Sequence, residues 1–160
     1  MRKIALLLVA VVAVIASCSS IDCPLNNTVY TKYKLDGTVT ELTGCTMTVS
    51  TTKRDGEDSI LINKDENVDS FILPMSYANS ADTLYFEVQD RLERVFKDTV
   101  IVAKDNQPHF ESIDCSPSYF HTITGVKTTQ HLIDSIVINH KDVNFDATKT
   151  HFLIYFGTRD

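Results

Sequence analysis

Cys45-Thr46-Met47-Thr48-Val49-Ser50-Thr51-Thr52 alternates apolar and hydroxyl side chains from Cys45 to Ser50. A period of two puts Cys45, Met47 and Val49 on the inward face of a strand and Thr46, Thr48 and Ser50 on the other. Threonine and β-branched residues suit that pleated, half-buried setting. The same texture extends both ways. Upstream, Thr28–Leu35 and Thr38–Leu42 flank Asp36-Gly37, a two-residue hairpin signal, so these segments are expected to pair. Downstream, a turn at Arg54-Asp55-Gly56-Glu57 leads to Ser59–Asn63, and Val68–Leu73 stops at Pro74, which has no N–H for a ladder. Thr83–Val88, Thr99–Ala103, His109–Asp114, Phe120–Val126, Leu132–Asn139 and Phe152–Phe156 read as further strands. Within Gln89–Asp98, Leu92, Val95 and Phe96 fit either one helical turn or the arms of a longer hairpin. No window holds a 3.6-residue period beyond two turns. The expectation is an all-β chain: a single-domain antiparallel β-sandwich, immunoglobulin-like, over residues 28–160.

The N-terminus has a different character. Arg2 and Lys3 precede an apolar run from Ile4 to Ala16, the length of a signal-peptide core and too short to span a bilayer as a helix. It ends in Ile15-Ala16-Ser17-Cys18, which resembles the lipobox of bacterial lipoproteins. That resemblance implies cleavage after residue 17, a diacylglycerol on the Cys18 thiol and an acylated new amine. Residues 1–17 are then a signal peptide and 18–27 a lipidated tether. Two or more acyl chains hold a protein stably to a membrane. Extended, so short a tether keeps the domain within about 30 Å of the bilayer.

Loss of Arg2 and Lys3 leaves 13 basic against 21 acidic residues, a net charge of −8 with histidine neutral. Such a surface repels phosphate backbones, so no nucleic acid is expected as partner. Cys18 apart, three cysteines remain: Cys23, Cys45 and Cys115. Cys45, on an inward strand face, reads as a buried free thiol. Cys23 and Cys115 are then expected to form a disulfide, as suits an oxidising compartment.

An Asp followed by Ser or Thr and an apolar residue recurs at Asp58-Ser59-Ile60, Asp69-Ser70-Phe71, Asp82-Thr83-Leu84, Asp98-Thr99-Val100 and Asp134-Ser135-Ile136. Turn chemistry accounts for the placement, with the Asp side chain closing a turn and the hydroxyl residue opening a strand. All but the Phe71 case also resemble the O-glycosylation motif of exported Bacteroidota proteins, making Ser59, Thr83, Thr99 and Ser135 candidate acceptors. Asp65–Asp69 and Asp142–Asp146 read D-x-N-x-D, but neither continues with the glycine and glutamate of a calcium loop. His109, His121, His131, His140 and His151 lack tight metal spacing and read as half-exposed sheet residues. No G-x-S-x-G elbow, phosphate loop or CxxC is present. Neither catalysis nor a metal or cofactor is expected. With no Trp, a stacking platform for sugars would have to come from Tyr30, Tyr33, Tyr77, Tyr85, Tyr119 and Tyr155.

In order, the lipobox, Cys23, Asp58-Ser59-Ile60-Leu61, Leu73-Pro74-Met75, Asp98-Thr99-Val100-Ile101, Pro108-His109-Phe110 with Cys115, and Ile133-Asp134-Ser135-Ile136-Val137 resemble a family of small Bacteroidota lipoproteins. That family is the domain of unknown function 6452. The resemblance implies an envelope lipoprotein with two recurrent cysteines matching Cys23 and Cys115, and it supplies no activity. With a lipid anchor, a compact acidic β domain and no catalytic motif, the expected role is a non-enzymatic, lipid-anchored component of the outer membrane working through a protein partner, with the periplasmic face favoured and the surface face open. The alternatives are a surface module for a glycan or other small ligand, and a fimbrial-type subunit exchanging Phe152–Phe156.

Overall fold

The computed structural model describes residues 23, 27–53 and 56–157. These form β1 (Tyr30–Asp36), β2 (Thr46–Thr52), β3 (Asp58–Glu66), β4 (Ser70–Pro74), β5 (Ala81–Gln89), β6 (Val95–His109), β7 (Ser118–Thr128), β8 (Ile133–Ile138), β9 (Asp142–Val143) and β10 (Phe152–Phe156). Two sheets pack together, ordered β4-β1-β10-β8 and β3-β2-β5-β6-β7-β9. No helix among the described residues is long and apolar enough to cross a membrane. The signal segment and Cys18 lie outside the described residues, as do Arg54 and Asp55.

The alternation that opens the sequence holds. Met47 and Val49 are fully buried on β2, which pairs antiparallel with β3 on one side and β5 on the other. Cys45 lies just ahead of the strand; it is free but only half-buried, against the edge of the core. Opposite, Tyr33 stacks between Phe71 and Phe152 in the four-stranded sheet, with ring centroids 5.0 and 4.7 Å away. Phe71 reaches across to Phe86 of the six-stranded sheet, centroids 6.0 Å apart. Such aromatic contacts bury large apolar areas and fix how two sheets seat on each other.

Three expectations are corrected. The sandwich is not wholly antiparallel, because β1 and β10 run parallel, from Tyr33 beside Phe152 to Asp36 beside Tyr155. Parallel neighbours need a long connection, and nearly the whole domain separates these two. Next, Thr38–Leu42 is not the second arm of a hairpin. Gly37 does take a positive φ of 86°, so the turn signal is sound. But β4 and β10 occupy both sides of β1, and the chain instead crosses towards the other sheet. Leu42 is buried on the way, its amide bonded to the Val68 carbonyl.

Lastly, His109–Asp114 is not a strand of its own. Val95–His109 is one long strand, and 110–117 is a loop. Pro108 is tolerated because β5 pairs only with Val95–Ala103, so the outer part of β6 has a ladder on one side alone. The ambiguous segment resolves as hairpin arms. Its turn is tied by Asp90, whose Oδ1 accepts from the amides of Leu92 and Arg94 at 2.8 and 2.9 Å. The short β9 had no sequence signal, since two residues are too few for a period to show.

Candidate functional site

The end of the sandwich that carries the 110–117 loop also carries Cys23 and Asn27. Cys23 and Cys115 are disulfide-bonded, their Cα atoms 5.4 Å apart and 92 positions apart in sequence. Beside this bond Asn27 donates from Nδ2 to the Ser116 carbonyl at 3.4 Å. Ahead of it opens a cleft of about 400 Å³. One wall is apolar, made by Val29, Met75 and Pro117. Another is the face-to-face pair Tyr77 and Tyr119, centroids 4.9 Å apart and planes 14° from parallel. Tyr77 is 65% exposed. His121 lines the same cleft.

His121 is where the polar order of this end converges. Its ring is 2% exposed, and its Nδ1 lies 2.8 Å from Asn106 Oδ1. Asn106 donates from Nδ2 to the carbonyls of Tyr77 and Asn79, both at 3.0 Å, so its oxygen must face the histidine. Nδ1 therefore carries the proton, and Nε2 is left as an acceptor. Burial, with the Lys104 ammonium nearby, pushes the His121 pKa down to about 4 against a weaker pull from Asp82, so the ring is neutral at pH 7.

Lys104, 1% exposed, pairs through Nζ with Asp82 Oδ1 at 2.9 Å and donates to the Asn79 carbonyl at 3.0 Å. Asp82 in turn accepts from the Ser76 amide at 3.1 Å. The 76–79 segment bearing Tyr77 is thus held from below by a buried ion pair and an asparagine. Sequence reasoning missed this network. Lys104 sits at a buried position of β6 where period-two logic calls for an apolar residue, and nothing nearby in sequence marks its partner.

The other predicted residues fall as follows. Ser59 is half-buried on β3, and Ser135 is exposed on β8; both strands are sheet edges. Thr83 and Thr99 lie inside the six-stranded sheet, opposite Ile101 and Tyr85, so neither opens a strand at an accessible end. The Asp-Ser/Thr recurrence is only partly turn closure. Asp98 is 4% exposed in mid-strand and accepts from Thr129 Oγ1 and from the amides of His131, Leu132 and Ile133. In the D-x-N-x-D segments, Asn67 Oδ1 accepts from the Gly44 amide and Asn144 Oδ1 from the Asp146 amide.

Half-exposure does not describe all the histidines. His121 and His151 are buried, the latter accepting the Lys32 amide on Nδ1 at 3.0 Å. Tyr33 is core, and only Tyr77 and Tyr119 form a stacked tyrosine pair among the described residues. β10 is enclosed between β1 and β8 of its own sheet, so its ladder is already complete within the chain.

The model of a family of unknown function, DUF6452, matches residues 46–156, from the first residue of β2 to the last of β10. The chain belongs to that family. Within DUF6452 no activity is assigned that could be carried to a residue here. The matched span includes Cys115, Tyr77, Tyr119 and His121, while Cys23 and Asn27 precede it. No curated protein and no solved structure matches the chain.

Proposed function

We propose that this protein is a lipid-anchored accessory component of the bacterial outer membrane, acting by contact rather than by chemistry. The observation that carries the reading is the Cys23–Cys115 disulfide. It fastens the 110–117 loop to a residue five positions after Cys18. An extended chain covers at most about 18 Å in five residues, so acylation at Cys18 would hold this end of the sandwich against the bilayer. A disulfide also fits a chain exported from the reducing cytoplasm.

Ile113, 97% exposed, and Phe110 project from the same loop as contact surface for an envelope protein or the membrane itself. Ser19-Ser20-Ile21-Asp22 carries a single acid after the anchor residue, which favours the periplasmic face. The crossing connections between the two sheets support reading the sandwich as immunoglobulin-like.

Intact mass of the protein released from native membranes tests the anchor. The expected chain begins at Cys18 with acyl mass added; any other start, or no acyl mass, overturns it. Crosslinking in live cells is expected to trap a dominant protein partner, and its absence refutes the accessory role.

A second reading, a small-ligand module, is favoured by one specific feature: the cleft between Tyr77, Tyr119 and His121.

A further inference from the structure

We infer that the cleft beside the disulfide binds a neutral pyranose ring, stacked on the Tyr77–Tyr119 pair and hydrogen-bonded through its hydroxyls. The inference rests on the small-ligand reading and names its ligand class.

Charge narrows the choice first. Among the described residues, no lysine, arginine, aspartate or glutamate lines the cleft. The nearest buried cation, Lys104, is already committed to Asp82 and the Asn79 carbonyl. A phosphate or carboxylate would find no counter-charge in a domain whose net charge is already negative, and would pay its desolvation unaided. A cationic ligand would likewise find no carboxylate in the wall. The occupant is neutral.

Polarity narrows it further. The side-chain nitrogen available as an acceptor is His121 Nε2, unprotonated because Asn106 fixes the proton on Nδ1. Asn27 Oδ1 is buried with no hydrogen-bond partner among the described residues, although its Nδ2 is engaged by Ser116. That oxygen is sealed from the open cleft, which leaves His121 Nε2 as the acceptor in play. The Tyr and Ser116 hydroxyls can turn to donate or accept. The ligand must therefore bring donors. A purely apolar molecule would leave the His121 acceptor stranded.

Shape completes the argument. Stacked tyrosines offer a flat, electron-rich face, and Val29, Met75 and Pro117 add apolar surface to the lining. A pyranose has this divided character, with a face of polarised C–H groups and a rim of hydroxyls. About 400 Å³ holds one ring and part of a second, so the site would read one terminal or internal residue of a glycan. The platform is also braced in advance. Asn106 clamps the Tyr77 carbonyl, and the Lys104–Asp82 pair holds the segment beneath it, so little ordering remains to be done on binding.

The test uses saturation-transfer NMR on the full chain purified with its disulfide intact. The probes are a panel of methyl hexopyranosides and neutral oligosaccharides, methyl glucuronide as the anionic arm, and indole as a neutral aromatic without hydroxyls. Saturation is expected on the ring C–H protons of at least one neutral sugar, with affinity for the uronide lower. Tyr77→Ala, at an exposed position that the fold does not need, is expected to weaken the neutral sugar about tenfold, and Tyr77→Phe to retain it. Tyr77-dependent binding of indole with no sugar bound would overturn the pyranose assignment and keep the ligand reading. Binding of neither, or sugar binding indifferent to Tyr77→Ala, overturns both, while the acyl-mass test of the anchor stands apart.

Discussion

Replacing Asp98 by asparagine should cost this protein nearly as much stability as replacing it by alanine. The carboxylate lies 4% exposed in mid-strand and is acceptor on both oxygens. Oδ1 takes Thr129 Oγ1 at 2.6 Å and the His131 amide at 2.8 Å; Oδ2 takes the amides of Leu132 and Ile133 at 2.6 and 2.8 Å. Asp98→Ala strands four donors. His131 is exposed, so water can serve its amide, and the Thr129 hydroxyl can rotate away, whereas the Leu132 and Ile133 amides are committed inward.

Two stranded amides at ~1–3 kcal/mol each give an expected loss of about 3 kcal/mol. Asparagine keeps the shape but turns an NH₂ towards one pair of donors, so about 2–3 kcal/mol is expected there too. Thr129→Val, which removes one donor to Asp98 and the acceptor of the Thr99 amide at 3.0 Å, should cost less, about 1–2 kcal/mol. Urea unfolding at pH 7 with the disulfide intact measures all three.

The same carboxylate has a pH signature. Burial alone would raise its pKa, but the Thr129 hydroxyl and three amides outweigh that and hold it below the ordinary carboxylate value. Its folded value being the lower one, its contribution is complete above the unfolded value of 3.8 and is lost as pH falls towards the folded one. Asp98→Asn should lack that acid-side loss. Stability within about 0.5 kcal/mol of wild type for Asp98→Asn would refute the reasoning, since the charge would then be dispensable.

Cys23→Ser should lower stability by up to about 4–5 kcal/mol on the chain-entropy account of so long a loop, and Cys45→Ser by much less, both read by the same urea titrations. Lys104→Ala, leaving the partly buried Asp82 with only its Ser76 hydrogen bonds, should cost about 3 kcal/mol; an effect below 1 kcal/mol would show that the pair is not a brace. Because His121 is neutral when folded, with its pKa near 4 rather than 6.5, the unfolded chain binds the extra proton between those values. Stability should therefore fall as pH drops from 6.5 towards 4. Screening by the open cleft holds this to about 1–2 kcal/mol, and His121→Asn should flatten the drop. If the exported chain is O-glycosylated, peptide mass spectrometry should place hexose on Ser59 or Ser135, at sheet edges, and not on Thr83 or Thr99; modification of the two threonines alone would contradict this.

What the sequence disclosed, and what it hid, follows from the range of each physical signal. Period-two patterning is local, so β2, β5 and β10 could be read directly. The Cys23–Cys115 pairing was legible because reading Cys45 as an unpaired strand residue left two thiols to join, and Cys45 is indeed free, though only half-buried. Pairing partners are not local. Asp36-Gly37 carries a true turn, yet β1 sits between β4 and β10, because which edge a strand occupies depends on every other strand. The cleft is hidden for the same reason at the scale of side chains. Asn27, Tyr77, Asn106 and His121 come from four separate stretches, and none departs from ordinary strand or loop composition.

Two charges broke a local rule on β6, Asp98 and Lys104, each where the strand should bury an apolar side chain, and Lys104 leads straight to Asp82, Asn79 and the Tyr77 segment. Its ammonium is desolvated at a cost, which the Asp82 carboxylate and the Asn79 carbonyl offset while they fix the segment above it. In this domain what lies above it is the stacked tyrosine pair at the end bearing the disulfide.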